Sequence, residues 1–207
     1  MSDAGKRAAA EQAAQLVEDG MRLGLGTGST VDLLLPVLAA RGLRDLRCVA
    51  TSERTERAAR DLGLPVEPFE ALTRLDLAID GADEVAPDRW LIKGGGGAHT
   101  REKIVAAAAE RFVVIVDESK IVDALSWPVP VELLPFGLPA TLERLGDGAR
   151  LREGAPPSPD GGVIADVRAD LSDPAGVAAR LSATPGLVDH GLFPPEMVAD
   201  VIVGRAG

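Results

Sequence analysis

The stretch that decides the fold is MRLGLGTGSTV, residues 21–31. Its first part predicts a short strand over Met21–Leu25, and the glycines, serine and threonines that follow predict a loop over Gly24–Thr30. A helix is predicted over Val31–Ala40, with Pro36 as a kink or a break. A strand that passes through a glycine-rich loop into a helix is the repeating unit of α/β folds with parallel sheets.

Strands and helices alternate on both sides of this stretch. Further strands are predicted at Arg47–Ala50, Val66–Phe69, Leu75–Ile79 and Phe112–Val116. Further helices are predicted from Asp3 or Gly5 to Asp19, at Glu53–Asp61 and at Ile104–Arg111. Continuous apolar strands are typical of a parallel sheet that helices cover on both faces. The sequence therefore predicts an α/β fold with a doubly wound, mostly parallel, Rossmann-like sheet.

The pattern changes after residue 126, where prolines become frequent. Helix, strand, strand and helix are predicted at Leu138–Leu145, Ala149–Arg152, Val163–Arg168 and Ala175–Leu181, followed by a last strand at Met197–Val203 that returns to the main sheet. The stretch 155–162 is a loop without core-forming side chains. We expect one catalytic domain over 1–126 plus 196–207, and a small α+β domain over 127–195.

Composition excludes several classes of protein. A chain of 207 residues with 46% hydrophobic residues can bury a core without disulfides, and its single Cys48 is expected to be an inert strand residue. No Cys/His cluster has the spacing of a zinc site. A net charge of −10 argues against a nucleic-acid partner. No apolar run of membrane-spanning length and no signal peptide is present, so we expect no membrane partner and a cytoplasmic location.

Lysine is rare in this chain. There are four lysines against 18 arginines: Lys6, Lys93, Lys103 and Lys120. Where arginine is the usual cation, a lysine can mark a place that needs a compact ammonium group. The alternative is that these lysines are solvated side chains on helix faces.

The Gly24–Thr30 loop meets neither of two common phosphate-binding motifs. Position 29 is serine where the dinucleotide fingerprint needs glycine, and the Gly-Lys pair of a P-loop is missing. Its amides, with the hydroxyls of Thr27, Ser29 and Thr30, could still hold a phosphate at the start of the following helix. The alternative is a tight turn with a capping hydroxyl.

Two aspartates follow the strand predicted at Leu75–Ile79. Asp80 and Asp83 stand in the sequence DGADE, at the carboxyl end of a parallel strand, where open α/β sheets bind ligands. An Asx-turn is the simpler explanation, but two carboxylates three residues apart exceed what a turn requires. We interpret them as candidate groups for proton transfer.

A lysine, four glycines and a glutamate complete the candidate chemistry. Lys93 precedes Gly94–Gly97, whose amides could bind an oxyanion. Thr100 is predicted to cap the next helix, which places Glu102 in its first turn as a candidate base. The alternative is that Glu102 only complements the helix dipole. His99 is a secondary candidate.

These motifs resemble one family. The ordered set GTGST (26–30), DGADE (80–84), KGGGG (93–97), TREK (100–103) and DESK (117–120) is similar to the ribose-5-phosphate isomerase A family. The similarity extends to PVE at 130–132, PGLV at 185–188 and GLF at 191–193. Five motifs in order are far more specific than any one of them.

The resemblance implies a fold, a reaction and a set of site residues. The fold is a doubly wound sheet with a small ferredoxin-like domain, associated into homodimers or homotetramers. The reaction interconverts D-ribose 5-phosphate and D-ribulose 5-phosphate through an enediolate, without metal or cofactor. The implied catalytic residues are Glu102 as the base, Asp80 with Asp83 for ring opening and hydroxyl protons, and Lys93 for the oxyanion. The implied substrate and phosphate contacts are Lys6, Thr27, Gly28, Ser29, Thr30, Gly94, Gly95, Gly96 and Lys120.

The chain departs from the family pattern in three places. His99 stands where a small or apolar residue is expected, Pro135–Pro139 is rich in proline and glycine, and the loop at 155–162 is long. A sugar-phosphate sensor on the same scaffold is the main alternative, but a sensor can lose the base and usually carries a DNA-binding segment. An amino-sugar phosphate isomerase/deaminase or an acyl-CoA transferase would need other motifs.

Overall fold

The computed structural model describes residues 3–205. Its helices are α1 (Asp3–Ala14), α2 (Ser29–Ala40), α3 (Glu53–Asp61), α4 (His99–Ala108), α5 (Leu138–Leu145) and α6 (Pro174–Ser182). Its strands are β1 (Arg22–Leu25), β2 (Arg47–Ala50), β3 (Leu75–Asp80), β4 (Glu84–Val85), β5 (Leu91–Ile92), β6 (Ala109–Asp117), β7 (Val129–Leu133), β8 (Ala149–Leu151), β9 (Val163–Val167), β10 (Leu187–His190), β11 (Leu192–Phe193) and β12 (Asp200–Gly204). Short 3₁₀ turns occur at Phe69–Ala71, Glu118–Lys120 and Pro195–Met197.

The chain forms two compact units. The parallel unit contains the chain through Ala82, Arg101–Ile121 and the chain from Glu196 onward, and the antiparallel unit contains Asp83–Thr100 and Val122–Pro195. The predicted domains differ from these units at 83–100 and 122–126. Residues 83–100 belong to the antiparallel unit because β4 and β5 form a three-stranded antiparallel sheet with β11. Residues 122–126 adjoin the same sheet, since Val122 N donates to the Val85 carbonyl at 3.0 Å.

The parallel unit is built on one five-stranded sheet. Its strands are all parallel and run in the order β12-β6-β3-β1-β2. Counted along the chain this is the doubly wound order 2-1-3-4-5, in which the winding direction reverses between β1 and β3. Ligands of such sheets bind at the carboxyl ends of the two strands at this switch point.

Apolar side chains hold the helices of the parallel unit on this sheet. Leu25, Ile79 and Ile115 are fully buried in three of its strands and share one cluster with Leu34 and Leu38 of α2. Helix α1 contributes mainly alanines to this cluster and packs against α2, β6 and β12. Small side chains let a helix approach a sheet closely, so the core is dense although the chain has few aromatics.

The antiparallel unit carries a four-stranded sheet and two helices. The strand order is β10-β7-β9-β8, every neighbouring pair is antiparallel, and the chain order is β7-α5-β8-β9-α6-β10. This alternation of strands and helices is the ferredoxin-like arrangement. The predicted fold class, a doubly wound sheet with a small ferredoxin-like part, is therefore confirmed.

Several predicted elements need correction. Helix α1 ends at Ala14 and not at Asp19, because 3₁₀-type bonds such as Gln15 N to the Gln12 carbonyl (3.2 Å) close it. Helix α2 continues without a break through Pro36. The strand predicted at 66–69 is reduced to one bridge between Val66 and Cys48.

The strand β7 and the short strands β4, β5, β10 and β11 were not predicted. In β7 the sequence signal is hidden by Pro130, since a proline argues against an inner strand of a sheet. Within residues 3–205, no helix has the length and apolar character needed to cross a membrane.

Candidate active site

The switch point of the parallel unit brings two of the predicted motifs together. Asp80 is the last residue of β3, and its side chain is buried. Its Oδ1 accepts hydrogen bonds from the backbone N–H of Thr27 (3.0 Å) and of Gly81 (2.7 Å). The carboxylate is therefore fixed by main-chain donors from the loop after β1 and from its own turn.

Gly26 makes this contact possible. A Cβ atom at position 26 would lie 1.9 Å from Oδ1 of Asp80, far inside contact distance. Gly26 N also donates to the Ile79 carbonyl at 2.9 Å, so the loop backbone runs directly against the end of β3. The glycine at position 26 is thus required by the close approach of the loop backbone to Asp80.

The hydroxyl of Thr27 belongs to a cluster of hydroxyl groups. Its Oγ1 lies 2.8 Å from both Thr51 Oγ1 and Ser52 Oγ. Ser52 in turn caps α3, accepting from Thr55 N at 3.2 Å, and Glu56 pairs with Arg60. Thr27 therefore connects the ends of three strands. It follows β1, its hydroxyl contacts the residues after β2, and its amide donates to Asp80 at the end of β3.

A phosphate-sized anion would find donors at the start of α2. Gly28 is the N-cap, with φ 137°, and a glycine supplies no side chain to cap the first amides of the helix. Lys6 is buried, and its Nζ donates to Ser29 Oγ at 2.8 Å. Thr30 is also buried here. The free amides at a helix N-terminus, together with an adjacent ammonium group, can bind an anion.

Asp117 lies close to two of the four lysines. It ends β6, its side chain is buried, and Oδ1 accepts from Ser119 N at 2.9 Å. Burial alone would raise the pKa of Asp117, but the hydrogen bonds from Ser119 and the charges of Lys6 and Lys120 together lower it. Asp117 therefore stays ionised, and its negative charge attracts Lys6 and Lys120.

The glycine loop, defined here as Gly94–Gly97, belongs to the antiparallel unit. It is a tight turn closed by Gly97 N donating to the Gly94 carbonyl at 2.9 Å, with positive φ at both residues. Asp83 Oδ2 accepts from Gly95 N at 2.7 Å. Of the predicted oxyanion donors, the Gly95 amide thus binds Asp83 in this structure.

Lys93 and His99 flank the glycine loop, and both are buried. Lys93 Nζ lies 5.5 Å from the centroid of the Phe193 ring, which is a cation–π distance. The Nε2 atom of His99 lies 3.4 Å from the Asp189 carbonyl, and a Cβ at Gly94 would approach Nδ1 of His99 to 2.7 Å. His99 therefore fills the space under the loop that a Cβ at position 94 would need.

Glu84 has a structural role. Its buried carboxylate accepts hydrogen bonds from Ser126 N (2.7 Å), Ser126 Oγ (2.9 Å) and Trp127 N (3.0 Å). It thereby fixes the segment before β7.

Glu102 lies where the sequence predicted, but Thr100 does not cap its helix. Helix α4 begins at His99, and Glu102 is buried in its first turn. The hydroxyl of Thr100 instead donates to Glu132 Oε2, and Ser158 Oγ donates to Glu132 Oε1. Glu132 is buried in β7, so this carboxylate ties the first turn of α4 to β7 and to the long loop before β9.

Four side chains of the antiparallel unit were missed by the sequence analysis. Glu132 and Ser158 belong to the hydrogen-bond network that includes Thr100, and Arg152 and Asp166 form an ion pair beside the glycine loop. One signal was available, since Asp166 is a carboxylate inside the apolar strand sequence VIADV. A charge in such a strand calls for a partner.

The predicted site residues thus fall into two sets. The parallel unit contains Lys6, Thr27, Gly28, Ser29, Thr30, Asp80, Glu102 and Lys120, and the antiparallel unit contains Asp83, Lys93, Gly94, Gly95 and Gly96. The chain itself links them, because only two residues separate Asp80 from Asp83 and one separates Thr100 from Glu102. No cluster of three or more metal-ligating side chains was found among residues 3–205.

Most of this chain matches the model of one protein family. The model of ribose 5-phosphate isomerase A (phosphoriboisomerase A) matches residues 47–207. The chain belongs to the ribose-5-phosphate isomerase A family. Ribose-5-phosphate isomerase A of Caulobacter vibrioides is 44% identical over 98% of this chain and 95% of its own length. The Methylorubrum extorquens protein is 48% identical over 91% of this chain and 87% of its own length.

Solved structures of this family have the same fold. The ribose 5-phosphate isomerase A of Methanocaldococcus jannaschii is 36% identical, with a TM-score of 0.91 over 97% of this chain and 94% of that one. A D-ribose-5-phosphate isomerase in complex with phospho-erythronic acid gives the same identity and TM-score, over 96% and 93% of the two chains. A Pyrococcus horikoshii initiation factor eIF-2B structure, 17% identical with a TM-score of 0.55, shares the fold alone.

Proposed function

We propose that this chain is an aldose–ketose isomerase that interconverts D-ribose 5-phosphate and D-ribulose 5-phosphate, a reaction of the non-oxidative pentose phosphate pathway. The observation that carries the proposal is that four groups suited to this chemistry stand at the ends of elements on the family fold. Asp80 ends β3, Asp83 precedes β4, Lys93 follows β5, and Glu102 lies in the first turn of α4.

Glu102 is the base in this proposal. It takes the proton from C2 of the open-chain aldose, the C–H electron pair forms the C1–C2 double bond, and O1 becomes an oxyanion. The proton then returns to C1, while the hydroxyl proton of O2 passes to O1 and leaves a carbonyl at C2. A helix N-terminus favours the ionised form of Glu102 that this step needs.

The aspartates and the glycine loop support this proton transfer. Asp80, with Asp83, assists ring opening and the exchange of protons between the substrate hydroxyls. The ammonium group of Lys93 and the amides of Gly94 and Gly96 stabilise the charge on the enediolate oxygens, where fixed donors are most effective. Gly95 serves in addition to hold Asp83, because its amide donates to that carboxylate.

The substrate phosphate binds at the N-terminus of α2 in this proposal. The amides after Gly28, the hydroxyls of Ser29 and Thr30, and the ammonium of Lys6 supply donors and positive charge there. Lys120 adds a second positive charge through its proximity to Asp117. A relative bound to phospho-erythronic acid supports a phosphorylated sugar as the ligand class.

The reaction needs no oxidant or reductant from outside, because one carbon is oxidised while its neighbour is reduced. The proposed base and oxyanion donors are all groups of the chain itself, so we expect full activity in EDTA. The direct test is formation of ribulose 5-phosphate by the purified chain in EDTA, compared with Glu102→Gln. Loss of a general base lowers the rate by about 10²–10⁴-fold, so E102Q should lose nearly all turnover while it still binds phospho-erythronic acid.

Glu110→Gln is the matched control for this test. Glu110 is an exposed carboxylate in β6 that lies 3.7 Å from Arg74, so its neutralisation should leave the rate unchanged. No turnover by the unmodified chain, together with tight binding of ribose 5-phosphate, would contradict the isomerase proposal and favour a sugar-phosphate sensor. Equal rates in E102Q and E110Q would remove Glu102 from the mechanism.

We also infer that the chain associates with copies of itself, as a homodimer or homotetramer. Three exposed apolar side chains support this inference. Leu134, 50% exposed, and Phe136, 92% exposed, follow β7, and Val188, 44% exposed, lies in β10. Sedimentation equilibrium should give a mass above one chain, and Phe136→Ser should lower it. A monomer at all concentrations would contradict the inference. The cytoplasmic location stays a prediction.

A further inference from the structure

Arg152 has no part in the proposed proton transfer, but it contacts the glycine loop. It directly follows β8, and its Nη1 donates to the carbonyl oxygens of Gly94 and Gly95, both at 3.0 Å. Its Nε donates to Asp166 Oδ2 at 2.9 Å, and its Nη2 donates to Asp166 Oδ1. One guanidinium group therefore binds a carboxylate on one side and two peptide carbonyls of the glycine loop on the other.

These contacts fix the direction of two peptide planes. In a trans peptide the N–H of the next residue points away from the carbonyl oxygen of the same plane. The carbonyls of Gly94 and Gly95 point to Arg152, so the N–H groups of Gly95 and Gly96 must point away from it. The Gly95 N–H meets this requirement, since it donates to Asp83 on the opposite side.

We propose that Arg152, held by Asp166, is a positioning residue that directs the Gly95 amide to Asp83 and aims the Gly96 amide at the reacting oxygens. This proposal rests on the proposed isomerase function, because it concerns the oxyanion donors of that site. Arg152 touches no reacting atom and acts through Gly94 and Gly95. Asp166 keeps the planar guanidinium in the one orientation that reaches both carbonyls.

The glycine loop needs such support for a physical reason. Glycine has the largest conformational freedom of any residue, so a run of glycines does not fix the direction of its own amides. A donor group that must be oriented during the reaction loses much of its effect on the transition state. The positive charge of Arg152 also polarises the two peptide groups and makes their N–H groups better donors.

The chain contains a matched ion pair without this contact. In the parallel unit, Arg22 Nε donates to Asp76 Oδ2 at 3.0 Å and Arg22 Nη2 donates to Asp76 Oδ1, the same fork as in the pair of Arg152 and Asp166. The exposures are similar, 35% and 29% for Arg22 and Asp76 against 21% and 27% for Arg152 and Asp166. The Arg22 pair fixes the beginning of β1 and not the glycine loop.

The test compares Arg152→Met with Arg22→Met in the complete chain. We expect R152M to lower kcat about 10- to 100-fold, since small misplacement of a catalytic group has effects of this size, with KM changed less than about threefold. R22M should keep kcat within about twofold of the unmodified chain. A merely structural role of Arg152 predicts that both variants lose stability and keep kcat, which would overturn the proposal.

Two further measurements keep the proposal testable. Amide hydrogen exchange is measured for the unmodified chain and both methionine variants at Gly95 and Gly97, whose amides donate to Asp83 and to the Gly94 carbonyl. It should be faster at these two amides in R152M and unchanged in R22M. This measurement does not depend on turnover, so it separates failure of the proposal from failure of the isomerase function. If R152M does not fold, Asp166→Asn and Arg152→Lys replace it, with an expected fall in kcat of about 3- to 10-fold. Unchanged kcat and unchanged exchange at Gly95 and Gly97 in these variants would overturn the proposal.

Discussion

The loop after β1 and the glycine loop before α4 are both rich in glycine, and each binds an aspartate through a backbone amide. They differ in what holds them. The loop after β1 is fixed by main-chain contacts, with Gly26 N bonded to the Ile79 carbonyl and Thr27 N bonded to Asp80. The glycine loop is fixed largely by side chains, namely Arg152 on its carbonyls and Asp83 on one amide.

This difference explains why one loop was understood from the sequence and the other only in part. Neighbouring parallel strands bring their carboxyl ends together, so a strand pattern already predicts that the loop after β1 meets Asp80. A side chain that reaches in from an irregular segment, as Arg152 does, leaves no periodic signal. Main-chain support leaves no room in the loop for an added side chain, whereas a supporting side chain can move.

The largest expected effect comes from adding a methyl group to each loop. Gly26→Ala would place Cβ 1.9 Å from Oδ1 of the buried Asp80, whereas Gly95→Ala would place it 2.6 Å from Oδ1 of the half-buried Asp83. We expect G26A to lower kcat/KM more than about 100-fold and G95A to lower it less, because the end of the Asp83 side chain can move.

Steady-state kinetics of both variants, with circular dichroism to check folding, measure this comparison. A larger loss of activity in G95A than in a folded G26A would show that the main-chain-held loop is the more tolerant one, against our expectation.

The next effect concerns the network that ties α4 to β7. Ser158→Ala removes one of the two hydroxyl donors of Glu132, which is 2% exposed. Leaving a buried acceptor without its donor lowers the free energy of unfolding by about 1–3 kcal/mol. Urea denaturation measures this loss, with Ser172→Ala as the exposed control, which should change stability by less than about 0.5 kcal/mol. Equal stability of the two variants would mean that water replaces Ser158 at no cost.

A smaller effect is expected at the start of α2. Lys6→Met removes the ammonium that reaches Ser29, and we expect KM for ribose 5-phosphate to rise about tenfold with little change in kcat, since substrate and transition state carry the same phosphate. Arg7→Met is the control, because Arg7 is the exposed neighbour on the same helix. A fall in kcat without a rise in KM would place Lys6 in the chemistry and not at the phosphate.

The smallest expected effect concerns the burial of Cys48 in β2. Burial raises the pKa of the Cys48 thiol to about 12. An unfolded thiol ionises near pH 9, so above that pH the unfolded chain binds fewer protons than the folded chain, and stability falls as pH rises. The slope should approach about 1.4 kcal/mol per pH unit between the two pKa values.

Urea denaturation between pH 8 and 10.5 measures this slope, and Cys48→Ala should remove the difference. The same slope in both proteins would show that other groups control the alkaline stability.

Much of the fold was predictable because its strands are apolar runs. The predicted bounds of β3 and α3 agree with the structure to within one residue. The strand predicted at 66–69 was wrong because prolines lie on both sides of Val66–Glu67 and remove ladder donors. The inner strand β7 was missed for a related reason, since Pro130 stands within it.

The candidate site was predictable only where residue type and chain position determine the chemistry. Asp80, Lys93 and Glu102 are such residues, because each stands beside a loop or at the start of a helix. Glu132 and Arg152 stand in or after ordinary strands, and the sequence does not show which way their side chains point. Their contacts depend on strand pairing in the antiparallel unit, which required the structure.

The central claim is that Glu102 moves a proton between C2 and C1 of the substrate. Its most direct test is the reaction of ribose 5-phosphate in D₂O with EDTA, followed by proton NMR, for the unmodified chain and for E102Q. We predict that the unmodified chain forms ribulose 5-phosphate, with deuterium at C1 in the fraction of turnovers in which the proton on Glu102 exchanges with solvent before it is transferred. E102Q should show neither product nor exchange while it still binds phospho-erythronic acid. Deuterium incorporation at an unchanged rate in E102Q would contradict the account.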